Sequence, residues 1–440
     1  MGRKGWIVTL AGMTLNLALG ILYAWSMFSK QLTEAIDKGG FGWTKTQATL
    51  PYTIAIACFA VMMVPAGRLQ DRFGPRKIAT AGALLCGIGL MVASFGSPAS
   101  LLPALLGFGV LAGMGIGLGY AAATPAAVKW FPPEKKGMIT GLVVAGFGLA
   151  PVYIAPLARF LLEDFGISAS FRILGFVFLV FAGIAAQFIT NPVQIPAGLV
   201  HKVKTQQPAA PAPLLAASTW QEMLKSPTFY SLYLQYACAA TAGLMIIGHL
   251  AKIVSVQSGG AIKIGFLFVA LLAVFNAGGR IAAGIISDYI GRSVTLTFVF
   301  IMQASIMAFF VQFSTVAAFL VGSALVGFNY GACLALFPAT TADYWGTKNL
   351  GMNYGILFTS WGVGGIFGPM LAGWIADTTG SYTTAYDTAS GLLVFAALLS
   401  MISYVSISVD LEQKQVVVKY VNKRKPALVA AEASRVNTPS

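Results

Sequence analysis

The feature that most constrains this chain is a succession of twelve apolar stretches, most about twenty residues or longer, running from residue 6 to residue 408 with only short polar breaks. A helix needs about 20 apolar residues to cross the hydrocarbon of a bilayer. Within lipid every backbone donor and acceptor must be satisfied inside the segment, which leaves helices or closed barrels. Stretches this long predict helices, at 6–29, 46–69, 78–97, 101–128, 137–160, 169–191, 227–250, 262–288, 294–313, 316–342, 350–376 and 384–408. Composition agrees: 57% of the 440 residues are hydrophobic and only 10% charged, with a mean hydropathy of +0.78. Soluble domains carry about 25% charged residues. A soluble enzyme, a nucleic-acid binder and a secreted disulfide scaffold are excluded. The first stretch is too long and too lightly flanked for a cleaved signal peptide, so it is expected to stay. Cys58, Cys86, Cys238 and Cys333 fall within spans without metal-ligand spacing and read as free thiols.

The net charge of +14 is distributed by side. With both termini on one face, that face holds twenty of the 28 Lys and Arg residues and the other holds seven; Arg280 lies inside a span. A basic excess marks the cytoplasmic side. The chain is therefore expected in the inner (plasma) membrane with both termini cytoplasmic. The charge calls for no nucleic-acid partner.

The chain also reads as two related halves. Gly67-x-x-x-Asp71-x-x-Gly74 between spans 2 and 3 recurs 217 residues later as Gly284-x-x-x-Asp288-x-x-Gly291 between spans 8 and 9. Gly137-Met138-x-x-Gly141 at the entry to span 5 recurs as Gly351-Met352-x-x-Gly355 at the entry to span 11. The expected organisation is an all-α membrane protein of twelve transmembrane helices in two pseudo-symmetric six-helix bundles. Their bounds are 1–191 and 226–409, joined by a Pro-rich cytoplasmic linker at 192–225 and followed by a basic tail at 410–440. Internal repeats of this kind place a substrate site between the halves, near the midplane.

Carried by Gly67, Asp71, Gly74, Arg76 and Lys77, and by Gly284, Asp288, Gly291 and Arg292, the chain resembles the major facilitator superfamily. Pro75 shifts the first basic pair by one place. The resemblance implies a conformational latch: each Asp accepts from a neighbouring helix N-terminus and pairs with basic residues, Asp71 with Arg76 and Asp288 with Arg292. A narrower resemblance is to the monocarboxylate and oxalate–formate transporter branch. It rests on Gly20-Ile-Leu-Tyr23-Ala-Trp25-Ser26-Met-Phe28, on Trp130-Phe131-Pro-Pro-Glu-Lys135-Lys136 running into Gly141 and Gly146, and on Asn276-Ala-Gly-Gly279-Arg280. It implies Arg280 as the substrate arginine, with Asn276 standing where animal members carry an acid.

The residues support that reading by themselves. Arg280 lies eight residues before Asp288, which puts it about 12 Å into the core. A cation there is costly unless it serves a ligand or partner, and a guanidinium matches a carboxylate fork to fork. Asn276 lies one turn away on the same helix face. Tyr120 and Tyr330 sit at comparable depth in the two halves, and Tyr23 and Phe28 offer an apolar wall. All fourteen acids fall in loops, span ends or the tail, so no mid-span carboxylic acid is available for a proton. His249, near the outer end of span 7, is the candidate proton-coupling group. The expected function is secondary transport of a small monocarboxylate of lactate type by proton symport, with the chain working as a monomer by alternating access. The alternative is an exchanger of the oxalate–formate kind, in which dicarboxylates need a second cation in span 11; no Lys or Arg occurs between Lys348 and Lys414. No nucleophile–base or metal constellation is present, so an enzyme, a cofactor and a metal are not expected.

Overall fold

The computed structural model describes residues 2–192, 218–262 and 264–403. Most of the expected linker and all of the expected tail lie outside the described residues. Among the described residues eleven helices are long and apolar enough to cross a membrane, and one of them, Pro133–Gln187, is two spans in a single run. The break falls at Gly166, whose φ of 76° and ψ of 177° interrupt the helix. Only glycine enters that region without strain. The twelve spans are α1 (Arg3–Thr33), α2 (Lys45–Phe73), α3 (Pro75–Ala93), α4 (Leu102–Val128), α5 (136–165), α6 (167–187), α7 (Pro227–Ile247), α8 (Gly265–Ile290), α9 (Arg292–Phe310), α10 (Val316–Trp345), α11 (Leu350–Thr379) and α12 (Thr383–Ser403).

Local chemistry sets the ends. Thr44 and Gln47 form a reciprocal capping box that starts α2. Gly74 and Gly291, the third residues of the two repeated motifs, both adopt φ near +90° (88° and 92°) with ψ 155°, turning α2 into α3 and α8 into α9 alike. The repeat is thus one of backbone conformation as well as letters. Span 7 ends earlier than expected, at Ile247, and a separate short helix, Leu250–Gln257, follows with His249 before it. Ser218, at the end of the linker region, donates its N–H to the Trp345 carbonyl and accepts from Asn349 and Asn353, tying it to the second half. The Thr219 N–H next to it holds the Glu222 carboxyl below its usual range.

Large apolar side chains such as Val61, Phe176, Phe181, Phe298, Phe367 and Trp374 stand exposed around the bundle. Lipid, not water, suits such a rim. The fold is the expected one: all-helical, multi-pass, with two six-helix halves. Two helix pairs make the most extensive contacts between the halves, α5 with α8 and α2 with α11.

Candidate functional site

Glycines let these pairs approach backbone to backbone. A Cβ on Gly137 would overlap the Gly284 carbonyl, and one on Gly141 would overlap the carbonyl of Arg280. In the second pair, a Cβ on Gly67 would overlap the Gly351 carbonyl, and one on Gly355 that of Met63. The two repeated motifs therefore meet crosswise, each half's Gly-x-x-x-Asp segment against the other half's Gly-Met entry.

At this end the aspartates bind across the interface. Asp288 accepts from the N–H groups of Gly137 (2.8 Å) and Met138 (2.9 Å) at the start of α5. Asp71 accepts from the N–H of Met352 (3.0 Å) at the start of α11. Both are carboxylates on helix N-termini, where the macrodipole favours them. Arg292 pairs with Asp288 (2.7 Å) and with Asp343 (2.8 Å), which also binds Lys136 of the other half at 2.9 Å. One expected pair is corrected: Arg76 is exposed, and Asp71 pairs with Lys129 at 3.6 Å. Pro75 starts a new helix after the Gly74 turn, and Arg76 leaves with it. Asp343 and Lys129 were missed because charges at span ends read as ordinary flanks.

Farther in, α8 brings Arg280 into the interface, fully buried. Its Nε donates to Asn276 Oδ1 at 2.8 Å, as one-turn spacing predicts, and its Nη1 donates to the Val144 carbonyl on α5 of the other half. Nη2 has no hydrogen-bond partner. A buried charged group with an unmet donor is costly. Two arms of the fork are thus engaged internally and one is on offer.

Aromatic rings of the two halves also meet. Phe59, Tyr120 and Phe147 of the first half meet Phe358 and Trp361 of the second: Phe59 to Phe358 5.1 Å, Phe59 to Trp361 5.4 Å, Tyr120 to Phe358 5.5 Å and Tyr120 to Phe147 5.6 Å between centroids. The Tyr330 hydroxyl accepts from Trp361 Nε1 at 2.7 Å, and the hydroxyls of Tyr236 and Tyr354 are 3.5 Å apart. Tyr120, Tyr330 and Tyr354 lie within the electrostatic field of Arg280. Tyr23 reaches this wall through Phe147, at 5.4 Å.

The structure brings together Arg280, Asn276, Tyr120, Tyr330 and Tyr23. It does not bring Phe28, which is buried within the first half, stacked on Phe171 at 4.6 Å and beside Trp25. Tyr23 lies in the 3-10 turn Gly20–Ala24 of α1, whereas Phe28 lies in the α-helical stretch Trp25–Thr33 that follows. His249 also lies apart, its Nδ1 3.2 Å from the Met245 carbonyl and its ring 5.8 Å from that of Tyr382. Among the described residues no group of three or more His, Cys, Asp or Glu gathers as a metal site.

The Major Facilitator Superfamily model matches residues 5–316 and 260–431. The oxalate:formate antiporter of Oxalobacter formigenes is 27% identical over 414 residues, covering 91% of this chain and 92% of that protein. Monocarboxylate transporter 12 of Xenopus laevis is 25% identical over 367 residues, 78% of this chain and 77% of that one. Among solved structures, the MFS transporter FucP in its outward conformation aligns with a TM-score of 0.65 at 14% identity, over 91% of this chain and 99% of that one. The crossed motifs, the two six-helix halves and these matches agree, and the chain belongs to the major facilitator superfamily.

Proposed function

We propose that this membrane transporter carries small monocarboxylates of lactate type together with a proton, by alternating access of its two halves. The observation that carries the reading is the buried Arg280 guanidinium between the halves, with Nη2 unpartnered. A carboxylate binding end-on takes Nη2 and displaces the Val144 carbonyl from Nη1, so loading exchanges a bond between the halves for a bond to substrate. Asn276 and the tyrosine hydroxyls offer further polar contacts, and the ring wall takes a small alkyl group. A monoanion neutralises the single cation; in α11 no Lys or Arg stands ready for a second carboxylate, which argues against dicarboxylate exchange.

The proton has no mid-span carboxylic acid to ride on. His249 takes it at the outer ends of α7 and α11, and the pair enters as a neutral unit. The basic asymmetry puts the Asp71 and Asp288 latches on the cytoplasmic side of the inner membrane, along with both termini. Each chain works alone, with the halves rocking about the site as the latches break and re-form.

The test is uptake into proteoliposomes from a panel of labelled mono- and dicarboxylates, with and without an imposed pH gradient. Accumulation of monocarboxylates driven by external acid, and not by membrane potential alone, is expected. Equal competition by oxalate would favour the exchanger instead.

A further inference from the structure

We infer that Trp361 is a positioning residue for the substrate site: its indole N–H holds the Tyr330 hydroxyl so that the hydroxyl meets a bound anion as a hydrogen-bond donor. The inference rests on the proposed carboxylate reading of the site. Packing fixes where Tyr330 stands. A Cβ on Gly279 would overlap the Phe328 carbonyl, and one on Gly331 the Asn276 carbonyl. Helix α10 therefore lies backbone to backbone against the turn of α8 that carries Asn276 and Arg280. The Tyr330 ring fills the space left by Gly243 of α7, where a Cβ would overlap Tyr330 Cδ2. Its hydroxyl reaches α11, where Trp361 Nε1 donates to it at 2.7 Å, both side chains being buried. Trp361 in turn touches Phe59 of the other half, 5.4 Å between centroids. The hydroxyl thus stands at the boundary between the halves, within electrostatic reach of Arg280 on α8, Tyr23 on α1 and Tyr52 on α2.

A phenol has one proton to give, and an indole N–H can only donate. The bond from Trp361 therefore takes a lone pair of the Tyr330 oxygen and leaves its O–H in need of an acceptor. Among the described residues no acceptor is bonded to that O–H. The anion anchored by Arg280 supplies one. Accepting from Trp361 also polarises the hydroxyl and strengthens it as a donor. The internal repeat supplies a comparison. The residue 214 positions earlier is Phe147, which meets the Tyr120 ring edge-on at 5.6 Å. A phenyl group is enough for ring packing at that place of the repeat. What Trp361 adds in the second half is the N–H.

The experiment is a double-mutant cycle on the purified protein: dissociation constants for lactate of the parent, Tyr330→Phe, Trp361→Phe and the double variant, with a thermal melt of each. Tyr330→Phe should weaken binding about tenfold or more and Trp361→Phe about three- to tenfold. The double variant should bind no worse than Tyr330→Phe alone, because Trp361 acts through the hydroxyl. Equal loss from Trp361→Phe in both backgrounds makes Trp361 a packing residue only and overturns the inference. No loss from either single variant overturns it too. A second readout needs no change at Trp361: the Raman band that reports the indole N–H hydrogen bond. Lactate should shift that band toward a stronger bond in the parent and leave it unmoved in Tyr330→Phe, since a hydroxyl that donates to an anion accepts more strongly. An unmoved band in a parent that binds lactate overturns the inference while leaving the carboxylate reading intact. A parent that binds neither lactate nor any other monocarboxylate refutes that reading, and the inference with it.

Discussion

Replacing Arg280 by Lys keeps the charge and removes the fork, and the geometry sets the size of the effect. The guanidinium holds Asn276 Oδ1 through Nε at 2.8 Å and Val144 O through Nη1, and offers Nη2. A carboxylate bound end-on gains two charge-assisted hydrogen bonds from that arrangement. An ammonium on a shorter stem makes one, and it no longer donates to Asn276 while facing the substrate. A hydrogen bond to a charged group is worth about 1.5–3 kcal/mol, so the dissociation constant should rise by about 10- to 150-fold. Calorimetric titration of the purified proteins with lactate reads this directly, and a melt of each controls for folding. Proteoliposome uptake should fall in parallel. If Arg280→Lys folds as the parent does and its affinity stays within about threefold, the anchor lies elsewhere and the reading of the site is wrong.

Asn276→Asp places a carboxylate 2.8 Å from Nε. It should weaken anion binding at neutral pH, with affinity recovering as the pH falls and the new carboxyl protonates; a flat pH profile would contradict the pairing. Asp288→Asn removes the charge that holds Gly137, Met138 and Arg292. In a background with the four native cysteines replaced, a cysteine put at Thr140, itself fully buried, should then react faster with an impermeant maleimide added from the latch side. Gly166→Ala meets no atom within 4 Å, yet the backbone there has φ 76°, so it should cost about 1–3 kcal/mol through strain alone; an unchanged melting temperature would refute that. His249→Ala should abolish pH-driven accumulation while preserving exchange of labelled for unlabelled substrate; survival of both would move the proton site elsewhere.

The twelve spans and the repeat were legible because lipid imposes one period and one length on every segment, and because a single titratable side chain in an apolar run is conspicuous. Arg280, and with it Asn276 one turn away, stood out for that reason. The ring wall did not. Phe59, Phe147, Phe358 and Trp361 share their spans with many aromatic residues, and nothing local separates a ring facing the site from one facing the core. Phe28 is the converse case, a ring in a suggestive segment that turned into the core. Val144 left no trace because its contribution is a carbonyl, which every residue has. One signal was available and unused: the repeat offset that links Asp71 to Asp288 also links Phe59 to Asn276.

Carried further, that offset explains why the site is lopsided. The 217-residue shift maps Met63 onto Arg280 and Phe59 onto Asn276. The backbone relations are kept, since Gly141 lies over the Arg280 carbonyl as Gly355 lies over that of Met63. The side chains are not. One interface, α5 with α8, carries the cation and its amide; the other, α2 with α11, carries a thioether and a ring at the matching places. On the proposed reading a carboxylate is held against one pair of helices only, while the second pair presents it with Phe59, Phe358 and Trp361. Polar exchange at Val144 can reset the first interface on loading. The second interface has apolar contacts at that depth, which slide without leaving a buried charge unmet. With an aspartate set on a helix N-terminus of the other half at each interface, the proposed rocking of the halves has matching latch points although the chemistry that biases it sits on one side.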